Sequence, residues 1–336
     1  KRYGSLELLN EAWGTVFWNQ TYTAWEEVFV PRETIHRSVN PHQMLDYSRF
    51  VSDSAVRWCR MQYEILKKYV KPGDFITTNG MFQKLDNHEM TDTALDVYTY
   101  DSYPNFAYCM DEDPLHSGGL NDRAWSGKLT EVRSVCEHFG IMEQQSGANG
   151  WNTRMEAPAP KPGQVKLWAM QSIAHGADYV SFFRWRTCTK GTEIYWHGIL
   201  DYDNRDKRKL AEVREVWERV KAIGETAGAK YKAAVGMVRD YDNIWDAEAD
   251  KWHQRLAWPS EDEILYACQV SHTPLDYVYL RECTSVEELA RYRVLIYPHA
   301  LILTPERAEL LKAYAEQGGT LILGARTGQK DLTGQC

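Results

Sequence analysis

Glu143 is the residue whose type and position best suit covalent chemistry. It follows a short apolar run, 140–142, and precedes a glycine-containing loop, 146–150, and then Trp151. Cleavage of a glycosidic bond needs two carboxyl groups, one that protonates the leaving oxygen and one that acts as nucleophile or base. A carboxylate at a strand end, close to an indole ring that could stack against a sugar, fits the nucleophile. The position also fits a strand-end glutamate in a surface ion pair.

Glu193 is a second candidate, in a segment bounded by two glycines, 191–198, that also contains Trp196 and His197. A carboxylate beside aromatic rings suits hydrogen bonding to sugar hydroxyls, because binding pockets combine apolar walls with a few placed polar groups. The spacing of Glu193 and His197 could instead supply two zinc ligands. The flanking glycines and the lack of a third ligand argue against that site, so the sequence predicts no metal. An ordinary loop remains an alternative.

Aromatic residues extend the set of candidates. Tyr103 follows Asp101, and its phenol could hydrogen-bond a neighbouring carboxylate and keep it ionised, although the same residues would also form an ordinary turn. The chain contains 13 Trp and 20 Tyr. Trp18 and Trp151 could be platforms for a sugar ring or residues of ordinary cores, and periodicity does not separate these alternatives.

The elements that must position these residues alternate between helices and strands. We expect strands at 74–78, 95–100, 140–142 and 179–183, and helices at 5–10, 41–69, 86–92, 124–139, 165–175 and 209–223. This alternation indicates a parallel sheet covered by helices. The expected strands end at Asn79, Asp101, Glu143 and Arg184, so the polar candidates lie at strand ends.

An α/β barrel explains that placement better than an open sheet. In a (β/α)8 TIM barrel the chemistry lies at the carboxyl ends of the strands. An open doubly wound sheet would share the alternation, but it usually carries a glycine-rich phosphate turn, which this sequence lacks. Half of the barrel strands are identifiable, so we expect the other half to precede Lys1.

After Gly228 the pattern changes to a second α/β domain. Strands are predicted at 233–238, 294–297 and 320–323, helices at 261–271 and 305–317, and a loop at 241–245. The sequence therefore predicts a barrel domain over 1–228 and a second domain over 229–336 that continues beyond Cys336.

Composition excludes several classes of protein. The net charge is −8 and no block of Lys or Arg occurs, so a nucleic-acid partner is not expected. No run of about 18 apolar residues could span a membrane. The 7 cysteines are scattered, with no C-x-x-C pair, which indicates reduced thiols and a cytoplasmic location.

Several ordered segments resemble the β-galactosidases of glycoside hydrolase family forty-two. Residues 1–18 resemble the segment that follows the acid/base of that family. Residues 141–145 with Trp151 resemble its nucleophile strand, and 176–186 resemble its eighth strand. The 191–198 loop resembles its galactose-binding loop, and segments 77–79 and 101–104 also match.

The resemblance implies a retaining β-galactosidase whose TIM barrel precedes a trimerisation domain with a glutamine-amidotransferase-like fold. It implies that Glu143 is the nucleophile and that Tyr103 contacts it. The residues implied to line the galactose pocket are Trp18, Trp151, Phe183 and Glu193, with Trp196 or His197 making a further polar contact. The implied partners are β-galactosides and two further copies of the chain.

The family's acid/base and its zinc-binding cysteines are implied to precede this chain, so no cofactor is expected within it. Glu7 and Glu11 lie on a short predicted helix, not at a strand end, and do not replace the acid. Two alternatives stay open. One is a related pyranosidase, such as an α-L-arabinopyranosidase, because an aromatic pocket discriminates one hydroxymethyl group by only about 1–3 kcal/mol. The other is a non-catalytic carbohydrate-binding or assembly fragment.

Overall fold

The computed structural model describes residues 2–33, 39–80, 84–104, 122–151, 154–250 and 254–336. Contacts between residues divide the chain into two compact units. The barrel unit comprises 60–80 and 87–232, and the second unit comprises 1–59, 81–86 and 233–336. In the described ranges, no helix is both long and apolar enough to cross a membrane.

Helices and strands alternate along much of the described chain. The helices are α1 Leu6–Trp13, α2 Pro41–Leu66, α3 Asn87–Ala94, α4 Asp122–Val135, α5 Gln164–Ala174, α6 Arg208–Ala222, α7 Tyr241–Ala249, α8 Gln254–Val270, α9 Val286–Leu289 and α10 Pro305–Glu316. The strands are β1 Tyr98–Ser102, β2 Phe139–Gln145, β3 Asn149–Trp151, β4 Arg154–Ala157, β5 Ala177–Phe183, β6 Val235–Arg239, β7 Leu275–Tyr279, β8 Val294–Tyr297 and β9 Thr320–Leu323.

In the barrel unit, β1, β2 and β5 form a three-stranded parallel sheet in that order. Helix α4 connects β1 to β2, and α5 precedes β5, so each connection is the crossover that parallel strands require. Strand β2 is central, and its Phe139 and Ile141 are fully buried. Sequential parallel strands covered by helices form the wall of an α/β barrel, as predicted.

The predicted strand at 74–78 is wrong. Only Asn79 joins the sheet, through a single parallel bridge to Thr99. The backbone N–H of Ile76 donates to the Asp96 carboxylate at 2.8 Å instead of to a neighbouring strand, and Phe75 is exposed. Residues 74–78 therefore lie beside β1 without forming a ladder, because the Asp96 side chain takes a hydrogen bond that a ladder would use.

The glycine-containing segment after β2 is more regular than predicted. Its second half belongs to β3, which pairs antiparallel with β4 as a hairpin. The sequence indicated only a loop there, because Ser, Gly and Asn are typical of turns.

The second unit contains a four-stranded parallel sheet in the order β7-β6-β8-β9. Strand β7 was not predicted from the sequence. The predicted loop at 241–245 is wrong, because these residues form the first turn of α7. The Asp240 carboxylate caps that helix by accepting from the Asn243 N–H at 2.9 Å, and Tyr241 and Trp245 are buried. An Asp-Tyr-Asp-Asn sequence is typical of a turn, but an Asp at an N-cap begins a helix equally well.

Candidate active site

Glu143 lies near the carboxyl end of β2, and Tyr103 lies just after β1. The Tyr103 hydroxyl donates a hydrogen bond to Glu143 Oε2 at 2.5 Å, and the Tyr103 side chain is almost fully buried. Burial raises the pKa of Tyr103 well above its usual range, and the hydrogen bond and negative charge of Glu143 raise it further. The phenol is therefore a permanent donor to the carboxylate. The contact agrees with the prediction for this pair, whereas the catalytic role of Glu143 stays a prediction.

Asp101 brings a second carboxylate to the same edge of the sheet. It pairs with Glu143 across the β1–β2 ladder, where the register shifts between Tyr100 and Asp101. The Asn79 side-chain amide donates to Asp101 Oδ2 at 2.6 Å. Burial and then the charge of Glu143 raise the pKa of Asp101 to about 6, although the hydrogen bond from Asn79 opposes that rise. In the sequence Asp101 marks only the end of a strand, so its coupling to Glu143 was missed.

An aromatic cluster lies beside Tyr103. Trp196, which is 5% exposed, is at its centre. The ring centroid of Trp196 lies 5.5 Å from that of Tyr103, 4.9 Å from that of Trp151 and 6.5 Å from that of Phe183. The structure thus brings together four aromatic residues that the sequence nominated separately. The role predicted for Trp196 was a polar contact, for which its indole N–H is the donor. In the structure its ring also packs against the other three aromatic rings.

Glu193 is held by a cation. It forms an ion pair with Arg184, the residue that follows β5, and the Arg184 guanidinium carbon lies 4.4 Å from the centroid of the Phe183 ring. Glu193 is more exposed than Arg184, with 43% of its side chain accessible against 19%. A carboxylate that is fixed on one side and exposed on the other can accept hydrogen bonds from a ligand.

His197 lies in the same loop but does not join Glu193 in a metal-like arrangement. Its Nδ1 lies 3.6 Å from Asp201 Oδ1, and its ring packs edge-on against Tyr202 with centroids 5.2 Å apart. Across the described side chains, no group of three or more His, Cys, Asp or Glu could hold a metal ion. The zinc alternative for Glu193 and His197 therefore gains no support from geometry.

The 191–198 loop is anchored by residues that sequence reasoning missed. Lys209 Nζ donates to the Gly198 carbonyl at 2.5 Å and to the Asp201 carboxylate at 2.9 Å, and Lys209 is buried. Burial would raise the pKa of Asp201, but the hydrogen bond and charge of Lys209, the charge of Lys207 and a hydrogen bond from His197 together lower it. A Lys in the first turn of a helix gives no signal of such a role, because it also suits an exposed surface.

The loop also packs tightly against the residues that follow β2. The His197 N–H donates to the Ala148 carbonyl at 2.9 Å, and the Ser146 hydroxyl donates to the Phe183 carbonyl at 2.8 Å. A Cβ at Gly147 would lie 2.5 Å from the His197 carbonyl oxygen, so only glycine permits this approach. The backbone thus fixes the loop relative to the ends of β2 and β5.

Trp18 belongs to the second unit, whereas the other predicted site residues belong to the barrel unit. It is 62% exposed, and its ring stacks on Phe17 with centroids 4.6 Å apart. A role of Trp18 in ligand binding stays a prediction.

A carboxylate with a phenol donor and an aromatic wall, at the carboxyl ends of barrel strands, fits the class of barrel glycoside hydrolases. Comparison with known families agrees: residues 1–223 match the β-galactosidase model of glycoside hydrolase family forty-two, and residues 233–336 match a β-galactosidase trimerisation domain. The chain belongs to the β-galactosidases of glycoside hydrolase family forty-two.

Individual relatives support the family. The chain is 33% identical to a β-galactosidase of Clostridium cellulovorans and 35% identical to one of Thermus sp., over 100% and 99% of its length. Those alignments cover 49% and 51% of the two relatives, so the chain spans about half of their length. The solved β-galactosidase of Halorubrum lacusprofundi superposes with a TM-score of 0.85 at 30% identity, over 99% of this chain and 49% of that one. The β-galactosidase of Rahnella sp. R3 gives 0.86 at 25% identity, over 100% and 48%.

Proposed function

We propose that this chain is part of a retaining glycosidase that cleaves terminal β-D-galactosides by double displacement. The observation that carries the proposal is the Tyr103–Glu143 hydrogen bond at the carboxyl ends of adjacent barrel strands. A retaining mechanism needs an ionised carboxylate held in one orientation next to the anomeric carbon. Tyr103 provides that restraint, because it binds Oε2 and leaves Oε1 to attack.

The proposed reaction proceeds in two steps. In the first, Glu143 attacks the anomeric carbon, the bond to the leaving oxygen breaks, and a general acid gives that oxygen a proton. In the second, water attacks the resulting ester, the same acid now acts as base, and Glu143 leaves as a carboxylate. We propose that the acid/base belongs to a part of the protein outside these residues, because the chain spans about half of the relatives it matches.

The remaining site residues are proposed to bind the sugar. Trp151, Phe183 and Trp196 would form the apolar wall against which the ring packs, and they exclude water from the charges that develop. Glu193, held by Arg184, would accept hydrogen bonds from sugar hydroxyls. His197 would contribute a ring nitrogen. Double displacement needs no cofactor, so these residues are proposed to act without one, and any structural zinc would lie outside them.

The assembly and location are also proposals. We propose a homotrimer, because residues 233–336 match a domain described as a trimerisation domain. Sedimentation of the complete protein would test the number of subunits. We propose a cytoplasmic location from the scattered, odd set of 7 cysteines, and thiol titration of the purified protein would test their reduced state.

Covalent labelling tests the function. A 2-deoxy-2-fluoro-β-galactoside with a good leaving group should inactivate the complete enzyme and modify the peptide that contains Glu143, because the fluorine slows hydrolysis of the ester. A Glu215→Gln enzyme is the matched control, since Glu215 is an exposed carboxylate of α6 that pairs with Lys166. Modification of another carboxylate, or release of galactose with inverted configuration, would contradict the proposal. Rates on an α-L-arabinopyranoside would measure how strongly the pocket selects the hydroxymethyl group.

A further inference from the structure

Asp101 is the carboxylate at this sheet edge that the double-displacement scheme does not use. The register of the β1–β2 ladder runs from Tyr100↔Ile141 directly to Asp101↔Glu143, so Met142 is the extra residue on β2. A bulge of this kind re-aims the side chains that follow it. Without it, Asp101 would face Met142. With it, two acidic residues occupy partner positions on adjacent strands, which lie about 4.8 Å apart.

The charge of Asp101 is only partly compensated. One oxygen, Oδ2, accepts from Asn79, whereas Oδ1 is buried and accepts no hydrogen bond from the residues that the structure describes. The interactions that shift the pKa of Asp101 are its burial, the charge of Glu143 and the hydrogen bond from Asn79. No cation of the described residues enters this balance, so the negative charge of an ionised Asp101 acts on Glu143 without a neighbouring positive charge to offset it.

The other titratable groups around Asp101 are tyrosines. Its negative charge raises the pKa of Tyr98 and Tyr100 on β1 and that of Tyr103 beyond it, and Glu131 of α4 acts on Tyr98 and Tyr100 in the same direction. Burial is the largest cause for each of these tyrosines, so all three remain neutral phenols near neutral pH. Within the described region, Glu143 is therefore the charged group on which the ionisation of Asp101 acts most directly.

We propose that Asp101 is a positioning residue whose negative charge, acting across the ladder on Glu143, favours formation of the glycosyl–enzyme and opposes its hydrolysis. The inference rests on the proposed function. When Glu143 attacks the anomeric carbon, its charge passes to the leaving oxygen, which takes a proton from the general acid, and the carboxylate becomes a neutral ester. The repulsion between the two carboxylates is lost in that step and returns when water releases Glu143. Asp101 therefore accelerates the first step and slows the second.

The kinetic test separates the two steps in the complete enzyme. An Asp101→Asn variant keeps an oxygen for Asn79 but loses the charge. We expect kcat/KM to fall by about tenfold at pH 7.5, a factor at the lower end of the range that coupling between two sites usually spans. We expect kcat on a dinitrophenyl galactoside, where hydrolysis of the ester limits the rate, to rise severalfold. A merely structural role would lower both constants. An Asp178→Asn enzyme, which loses an exposed carboxylate of β5, is the matched control.

The pH profile gives the sign of the effect. Below about pH 6 Asp101 is protonated and its repulsion on Glu143 is absent, so kcat/KM of the wild type should rise as pH increases through that value. The Asp101→Asn enzyme should lack this rise. If Asp101→Asn does not fold, Asn79→Ala serves instead, because loss of the opposing hydrogen bond should move the same rise to higher pH. A loss of rate confined to poor leaving groups would show that Asp101 is a proton donor and overturn the proposal.

An infrared titration tests the coupling without turnover. The carboxyl stretching band of Asp101, identified by its loss in Asp101→Asn, should titrate near pH 6 in the wild type and at lower pH in Glu143→Gln, where the like charge is removed. An unchanged titration in Glu143→Gln would overturn the proposal. This measurement does not depend on galactoside cleavage. A wild type that titrates as expected but turns over no galactoside would refute the proposed function and leave the coupling between the two carboxylates standing.

Discussion

Removal of the Tyr103 hydroxyl should trap the enzyme as its covalent intermediate. The hydroxyl donates to Glu143 at 2.5 Å and the side chain is 6% exposed, so no bulk water would replace the lost donor in a Tyr103→Phe enzyme. Glu143 gains its negative charge when water hydrolyses the ester, and the phenol stabilises that charge as it forms. A hydrogen bond to a charged group contributes about 1.5–3 kcal/mol. We therefore expect hydrolysis of the ester to slow by about 10- to 150-fold.

The assay is a rapid-mixing experiment on the complete enzyme with a dinitrophenyl β-galactoside. Tyr103→Phe should give a burst of dinitrophenol followed by a slow steady state, and intact-protein mass spectrometry should show the galactosyl adduct. Tyr98→Phe is the matched control, since Tyr98 is a buried phenol of β1 whose ring packs over Gly80. A steady-state rate within about twofold of the wild type, with no adduct, would refute the argument that the Tyr103 hydrogen bond stabilises the departing carboxylate.

Three further outcomes are expected. A Glu193→Gln enzyme should lose kcat/KM while keeping the shape of its pH profile, because Glu193 is proposed to bind substrate and not to transfer protons; disappearance of one limb would contradict this role. The 336-residue chain expressed alone should not cleave nitrophenyl galactosides. General acid catalysis contributes about 10²–10⁴-fold, and the general acid is proposed to lie outside this chain. Turnover near that of the complete enzyme would show that the acid lies within the chain. Glu261→Gln should destabilise the second unit by about 3–5 kcal/mol, because it removes the negative charge from a buried ion pair with Arg239. Urea unfolding would measure the loss, and an unchanged unfolding midpoint would contradict this prediction.

Local sequence determined most of the elements. Strands β8 and β9 have the bounds that were predicted from their short apolar runs. Helix α10 begins at Pro305 after Thr304, whose hydroxyl accepts from the Arg307 N–H at 3.2 Å. These features depend on neighbours in the chain, so they can be predicted from the chain alone. The loop wrongly predicted at 241–245 also came from local sequence, because Asp240 could either cap a helix or start a turn. Neighbouring residues do not decide between these two structures.

Most residues of the candidate site could also be predicted from local sequence, because the residues at the carboxyl ends of barrel strands lie at one rim. Local sequence could not determine which of them meet. The Tyr103–Glu143 contact joins residues 40 positions apart, and the Arg184–Glu193 pair depends on how a loop folds back after β5. The pairing of Asp101 with Glu143 depends on a one-residue bulge at Met142. Register between strands is set by packing of the whole sheet, and a shift of one residue changes every partner. Only the tertiary structure could therefore place a second carboxylate beside the proposed nucleophile.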